Sequence, residues 1–150
     1  MNAHRGMPDR PPVDLSLLAV RVVVGVIFAV HGAQKFLGAF GGHGLSATVE
    51  SRGPIGYPVA IGEFSGGVGL IVGFLTRFSA ASLIVIMIGA IVQVHGKNGF
   101  LLSNGGFEYN LALIGLLLPV LIAGAGRYAI GRSLPLPKVP GTSRPIAILE

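Results

Sequence analysis

Four long apolar runs divide this chain, and they restrict its fold more than any motif does. The first, Leu15 to Phe36, is long enough at about 1.5 Å per helical residue to cross a hydrocarbon core of about 30 Å. The second runs from Val59 to Leu75 and the third from Phe78 to Val94. Only Thr76 and Arg77 separate them, so the two must form a tight antiparallel hairpin. Thr76 has the residue type of an N-cap for the third helix. The fourth run, Phe107 to Ala123, is shorter and contains Pro119, which frees the carbonyl of Gly115 and predicts a kink.

Composition places these runs in lipid. Charged residues make up 11% of the chain and apolar residues 51%, and the mean hydropathy is +0.74. A soluble globule, with about 25% charged residues, has far more polar surface to cover itself. The net charge of +5 does not point to nucleic acid, because Lys and Arg are spread among the segment ends and form no basic face interleaved with aromatics. Anionic lipid is the better counterpart. There is no cysteine, hence no disulfide, thiolate metal site or thiol nucleophile. No cofactor is intrinsic to the chain on this reading, and redox chemistry would need a borrowed cofactor or a partner. The first run is not a signal peptide despite Arg5 and Arg10 before it: it is too long, is interrupted by Arg21 and lacks a small-x-small cleavage site.

The expected fold is therefore all-α, a polytopic four-transmembrane-helix bundle. Helices are expected over 15–37, 58–75, 77–96 and 107–125 in a membrane domain spanning 15–126. A cytoplasmic segment, 1–14, precedes it and a proline-rich cytoplasmic tail, 127–150, follows. Four spans put both termini on the side of the Thr76-Arg77 turn, with Arg5, Arg10, Arg77, Arg127, Arg132, Lys138 and Arg144. The other side holds Lys35, Arg52 and Lys97. The positive-inside rule makes the first side cytoplasmic, in the inner membrane of a prokaryote. Gly62, Gly66, Gly69 and Gly73 in the second helix, and Gly25, Ala29 and Ala33 in the first, form small-residue tracks for close packing. Arg21, alone deep on the cytoplasmic side, is expected to serve structure with Arg77 and Arg127, through backbone carbonyls, a fourth-helix group or lipid phosphate.

The remaining polar residues gather at one depth. His31, Gln34 and Lys35 close the first helix. Glu63 lies one to two turns into the second, Gln93 and His95 end the third, and Glu108, Tyr109 and Asn110 open the fourth. An intramembrane charge costs roughly 2.5 to 3.5 kcal/mol on insertion scales, so several at one level should face inward and neutralise one another. Glu63 must be protonated, paired with Lys35, His31 or Arg21, or open to a water-filled cavity. The pattern predicts a polar pocket under a glycine-rich outer loop, with His31, Lys35, Glu63, His95, Glu108 and Asn110 as ligand-binding or proton-handling candidates. Plainer roles compete: Lys35 snorkelling to headgroups, His31 bonding a neighbouring helix, His95 and Glu108 marking the interface.

Three stretches carry a resemblance. "LAVRVVVGVIFAVHGAQKF", "GEFSGGVGLIVGFLTRFSA" and "GGFEYNLALIGLLLPVLIAGAGRYAIG" resemble the DoxX-like membrane proteins over roughly Leu15 to Gly131. The resemblance implies a small four-helix membrane protein linked to redox partners, with one branch forming the membrane subunit of thiosulfate:quinone oxidoreductases. Members often end in Gly-Pro-Gly-Arg-Tyr-Ser-x-Asp. This chain reads "GAGRYAIG", with Gly131 in place of the acid, which argues against a cytoplasmic-side ion pair here.

Three classes then remain. A quinone or other lipid-soluble ligand would take a donor such as His31 or Lys35, a proton source such as Glu63 and a slot between apolar helices. A metal would draw on His31, Glu63, His95 and Glu108, but no HExxH or Glu-x-x-His pair supports it, so no metal is expected. A non-catalytic subunit of a larger membrane complex would need only its packing faces. The redox-associated subunit with a ligand pocket is the preferred reading, and the structural or accessory subunit the alternative. Lipid and a protein partner are the expected company. The glycines of "GGHGLS" and "GGVGLIVG" follow no strand and make no phosphate loop.

Overall fold

The structure is a computed structural model that describes residues 11–132. The tail beyond Arg132 and the basic residues Arg5, Arg10, Lys138 and Arg144 lie outside the described residues. Five α-helices follow one another: α1 (Pro11–Phe36), α2 (Gly44–Arg52), α3 (Gly56–Val72), α4 (Thr76–Ala90) and α5 (Glu108–Ala123). No strand occurs among the described residues. Three continuous helical stretches are long and apolar enough to cross a membrane, Pro11–Phe36, Gly44–Val72 and Thr76–Asn98, and α5 is a shorter apolar helix.

Prolines open α1 where a missing N–H costs nothing, and Asp14 stands in its first turn, where the helix dipole favours an acid. Two features differ from the sequence expectation at the next connection. The stretch expected to be a glycine-rich loop is largely helical: α2 is joined to α3 by a 3-10 turn, Gly53–Ile55, and the α3 helix starts at Gly56. Thr48 holds α2 in place, donating to the carbonyls of Lys35 (3.1 Å) and Gly44 (2.9 Å). Gly56 lets the chain double back, since a Cβ there would stand 2.9 Å from the Thr48 carbonyl oxygen.

The α3–α4 hairpin forms as expected, by different means. Gly73, placed by sequence on a packing track, is the left-handed C-cap of α3 (φ 74°), and its N–H bonds the Gly69 carbonyl. Leu75, also left-handed (φ 49°), caps α4, so Thr76 is the first helical residue and not the N-cap. Its hydroxyl is buried with no partner among the described residues. The third helix is not uniform to residue 96 either. Beyond Ala90 it widens into a π-helical turn, Ile91–His95, and then tightens into a 3-10 turn, Gly96–Asn98. Pro119 lies inside a continuous α5.

α1 packs most extensively on α3. The reason is backbone proximity: a Cβ on Gly25 would reach 2.8 Å from the Gly67 carbonyl oxygen, and one on Gly32 would run into the backbone of Phe64. In lipid, where helices gain nothing by hiding apolar surface, such close approach is what holds them together. The second seam, α3 on α4, is softer. Gly62 and Gly66 face the side chains of Ile86 and Leu83, and Gly69 faces the Ser79 hydroxyl. Val24, Phe28, Leu70, Leu83, Met87, Leu113 and Leu117 belong to the common core.

Candidate cleft at the loop end

The bundle has two unlike ends. The hairpin end holds the start of α1, the Gly73–Leu75 turn and the segment after α5. The loop end holds α2 and the π turn.

At the hairpin end, Arg21 is fully buried, and its Nη2 donates to the Tyr128 carbonyl at 2.5 Å. Its Nε and Nη1 have no partner among the described residues. The carbonyl answers one of the three partners expected for Arg21 from sequence. Arg77 rests its guanidinium against Gly124, with Nε buried and unpartnered among the described residues. Arg127 takes part through its backbone N–H, which donates to Asp14 Oδ1 at 2.9 Å. Gly131 gives its N–H to the Gly73 carbonyl at 3.1 Å.

At the loop end, Lys35 Nζ meets Glu63 Oε2 at 2.5 Å, with the side chains 23% and 6% exposed. Of the cations that the sequence offered Glu63, the structure selects Lys35. The Gly32 close approach sets this pair: it lies one turn before Lys35 and brings α1 against the Glu63–Phe64 backbone. The pair lines a cleft of about 540 Å³ between α1, α3, α4 and α5, roofed by the end of α2. His31, His95 and Asn110 line it too, so five of the six candidates converge. Glu108 stands apart, in the first turn of α5, with its backbone N–H bonded to the Phe100 carbonyl at 2.9 Å. An acid in a first turn is favoured by the helix dipole, and Glu108 does not line the cleft.

The cleft walls are mostly apolar, supplied by residues such as Ile27, Phe28, Val59, Ile86 and Leu113. Polar contacts at the rim are few and specific. His95 Nδ1 is bonded to the Gly105 carbonyl at 2.8 Å, and Asn110 Nδ2 donates to Met87 Sδ at 3.4 Å. The His31 residue is exposed and its side chain makes no hydrogen bond within the described residues. Arg52, in the last turn of α2, also lines the cleft and was not among the candidates. Its signal in sequence was hidden because α2 itself was not expected. Tyr109 joins the lining as well. Among the described residues, no three His, Asp or Glu side chains come together to hold a metal, and His31, Glu63, His95 and Glu108 do not form one set.

These features define a polytopic helical membrane protein whose Lys35–Glu63 ion pair borders an apolar cleft. The chain belongs to the DoxX family, whose model matches residues 16–96. It is 34% identical over 111 residues to the Bacillus subtilis (strain 168) protein named "Putative oxidoreductase CatD", covering 70% of this chain and 78% of that one. It is 28% identical over 124 residues to "Inner membrane protein YqjF" of Escherichia coli (strain K12), covering 81% and 93%. The "Uncharacterized membrane protein Rv3486" of Mycobacterium tuberculosis (strain ATCC 25618 / H37Rv) is 28% identical over 149 residues, covering 84% and 83%. No solved structure matches the chain.

Proposed function

We propose that this protein is a redox-associated membrane subunit that holds a quinone or another lipid-soluble ligand in the loop-end cleft. The observation that carries the reading is the cleft itself: about 540 Å³, walled by apolar side chains and bordered by the Lys35–Glu63 pair. Ligand sites of this kind are mostly apolar with a few placed polar groups that fix orientation. Lys35 keeps N–H donors beyond the one given to Glu63, and His31 adds a ring nitrogen, so acceptor oxygens on a ligand head have partners. A bound quinone would supply two-electron chemistry that a chain without cysteine lacks. The name of the Bacillus relative supports a redox association.

In this reading, four spans place both termini in the cytoplasm and the cleft toward the outer leaflet of a bacterial inner membrane. The support is the excess of Lys and Arg at the hairpin end and in the flanking segments. A reporter fused after Glu150 is expected to be active in the cytoplasm, and a reporter inserted near Ser46 outside; the reverse pattern overturns the orientation.

The ligand reading is tested by purifying the protein in mild detergent and identifying co-purifying lipids and proteins by mass spectrometry. Bound quinone is expected, and it should be displaced when Ala90→Trp fills the cleft. A stoichiometric protein complex with no small ligand would favour the structural or accessory role instead.

A further inference from the structure

The connection between α4 and α5 carries apolar side chains on its outside. Phe100, Leu101 and Leu102 follow one another there, each more than half exposed. The segment that presents them is folded on itself. The Leu101 carbonyl accepts the N–H groups of Asn104 and Gly106 at 3.1 and 2.9 Å, the Phe100 carbonyl that of Glu108 at 2.9 Å, and the Leu102 carbonyl that of Gly105 at 2.8 Å. The Gly105 carbonyl is in turn bonded to His95 Nδ1 and accepts from Asn98 Nδ2. Phe107 braces the base, its ring edge-on to Phe100 with 5.5 Å between centroids.

Three further observations bear on what covers these side chains. α5 has 16 residues, about 24 Å of helix against a hydrocarbon core of about 30 Å, so a crossing built on it draws in flanking chain. Lys97, exposed just before the apolar triplet, has a stem long enough to carry its ammonium to headgroup phosphates. The α1–α2 connection, at the same end, holds a second apolar tip. Phe40 is 70% exposed and left-handed (φ 51°), with its carbonyl accepting from Gln34 Nε2 at 3.2 Å. A bulky residue takes that conformation only at a cost.

We infer that the 96–107 connection is an interfacial anchor, with Phe100, Leu101 and Leu102 in the acyl boundary of the leaflet at the loop end and Lys97 at its headgroups. The carbonyls of the three apolar residues already have partners, which is the condition for backbone in contact with lipid. The N–H groups of Phe100 and Leu101 make no main-chain bond among the described residues, and Ser103, Asn104 and Glu108 stand close by in the chain. These groups set the depth. They need polar partners that the headgroup layer supplies and the hydrocarbon does not. Such an anchor requires no ligand in the cleft and works in either orientation of the bundle.

The chain has no tryptophan, so a single introduced indole reports alone. Phe100→Trp, Leu101→Trp and Leu102→Trp are each made in the full-length protein and reconstituted in vesicles of phosphatidylcholine and phosphatidylglycerol. Fluorescence is read with iodide inside and outside, and with phosphatidylcholine brominated either near the headgroup or near the chain end. Emission should be blue-shifted from that of N-acetyltryptophanamide in water. Bromine near the headgroup should quench it severalfold more than bromine near the chain end, and iodide severalfold less than it quenches the free indole. Should one variant fail to reconstitute, the other positions decide. Iodide quenching equal to that of the free indole, with none by brominated lipid, overturns the anchor and puts the connection in water. Protection from both quenchers overturns it in favour of cover by a second protein surface. Stronger quenching from the chain end overturns the interfacial depth.

Discussion

The two ends of the bundle treat a buried charge in opposite ways. At the loop end, the Lys35 ammonium has a carboxylate, Glu63, and the pair stands beside an open cleft. At the hairpin end, Arg21 is sealed at 0% exposure with one backbone carbonyl for company, and two of its nitrogens find nothing among the described residues. A guanidinium tolerates this better than an ammonium, because its charge is delocalised and weakly hydrated. Closure by backbone makes the hairpin end a structural plug. The loop end keeps its charges paired and reachable, which is the condition for chemistry.

Breaking the pair should have the largest effect. Glu63→Gln keeps shape but leaves the Lys35 ammonium unpaired, and losing one partner of a buried pair costs about 3 kcal/mol or more. The apparent Tm in detergent is expected to fall well below that of the unsubstituted protein. Adding Lys35→Met to Glu63→Gln removes both charges, and most of the lost stability should return while bound ligand stays lost. Unchanged melting in Glu63→Gln would show that the pair contributes nothing and would erase the contrast between the ends.

A smaller effect, of opposite sign, is expected at the other end. Gly131→Asp puts a carboxylate next to Gly73 and so near the unpartnered nitrogens of Arg21. Stability should rise by on the order of 1 kcal/mol, read as a higher Tm. No rise, or a fall, would mean that the backbone carbonyl already suffices and that Arg21 tolerates no further partner.

Much of this was legible from residue type and spacing. Apolar runs located the candidate membrane helices, and the cost of intramembrane charge predicted that His31, Lys35, Glu63, His95, Glu108 and Asn110 would gather at one level around a pocket; all but Glu108 line the cleft. What spacing did not carry was local geometry. Leu75 takes a left-handed conformation that no propensity favours for leucine, which displaced the cap from Thr76. α2 has little apolar patterning of its own and is stabilised by Thr48 and the end of α1, so a sequence rich in glycine on both sides reads as loop. Gly32 and Gly67, which make the closest helix contact, were missed in favour of neighbouring small residues, because periodicity shows that a glycine face exists but not which face meets α3. Arg52 followed α2 out of view. Glu108 was drawn in by proximity in sequence, although the first turn of a helix is where an acid is welcome without any site.

The distance in sequence between Lys35 and Glu63, 28 residues, also governs how such a chain enters its membrane. A ribosome delivers the ammonium first and the carboxylate only after α2 has emerged. Presented alone, α3 would carry its acid into lipid at roughly 2.5 to 3.5 kcal/mol on insertion scales. The tight Gly25–Gly67 seam and Lys35 make α1 the partner that relieves this penalty once the two helices meet. Insertion of α1 and α3 as one unit, with the ion pair as its latch, is the expected consequence.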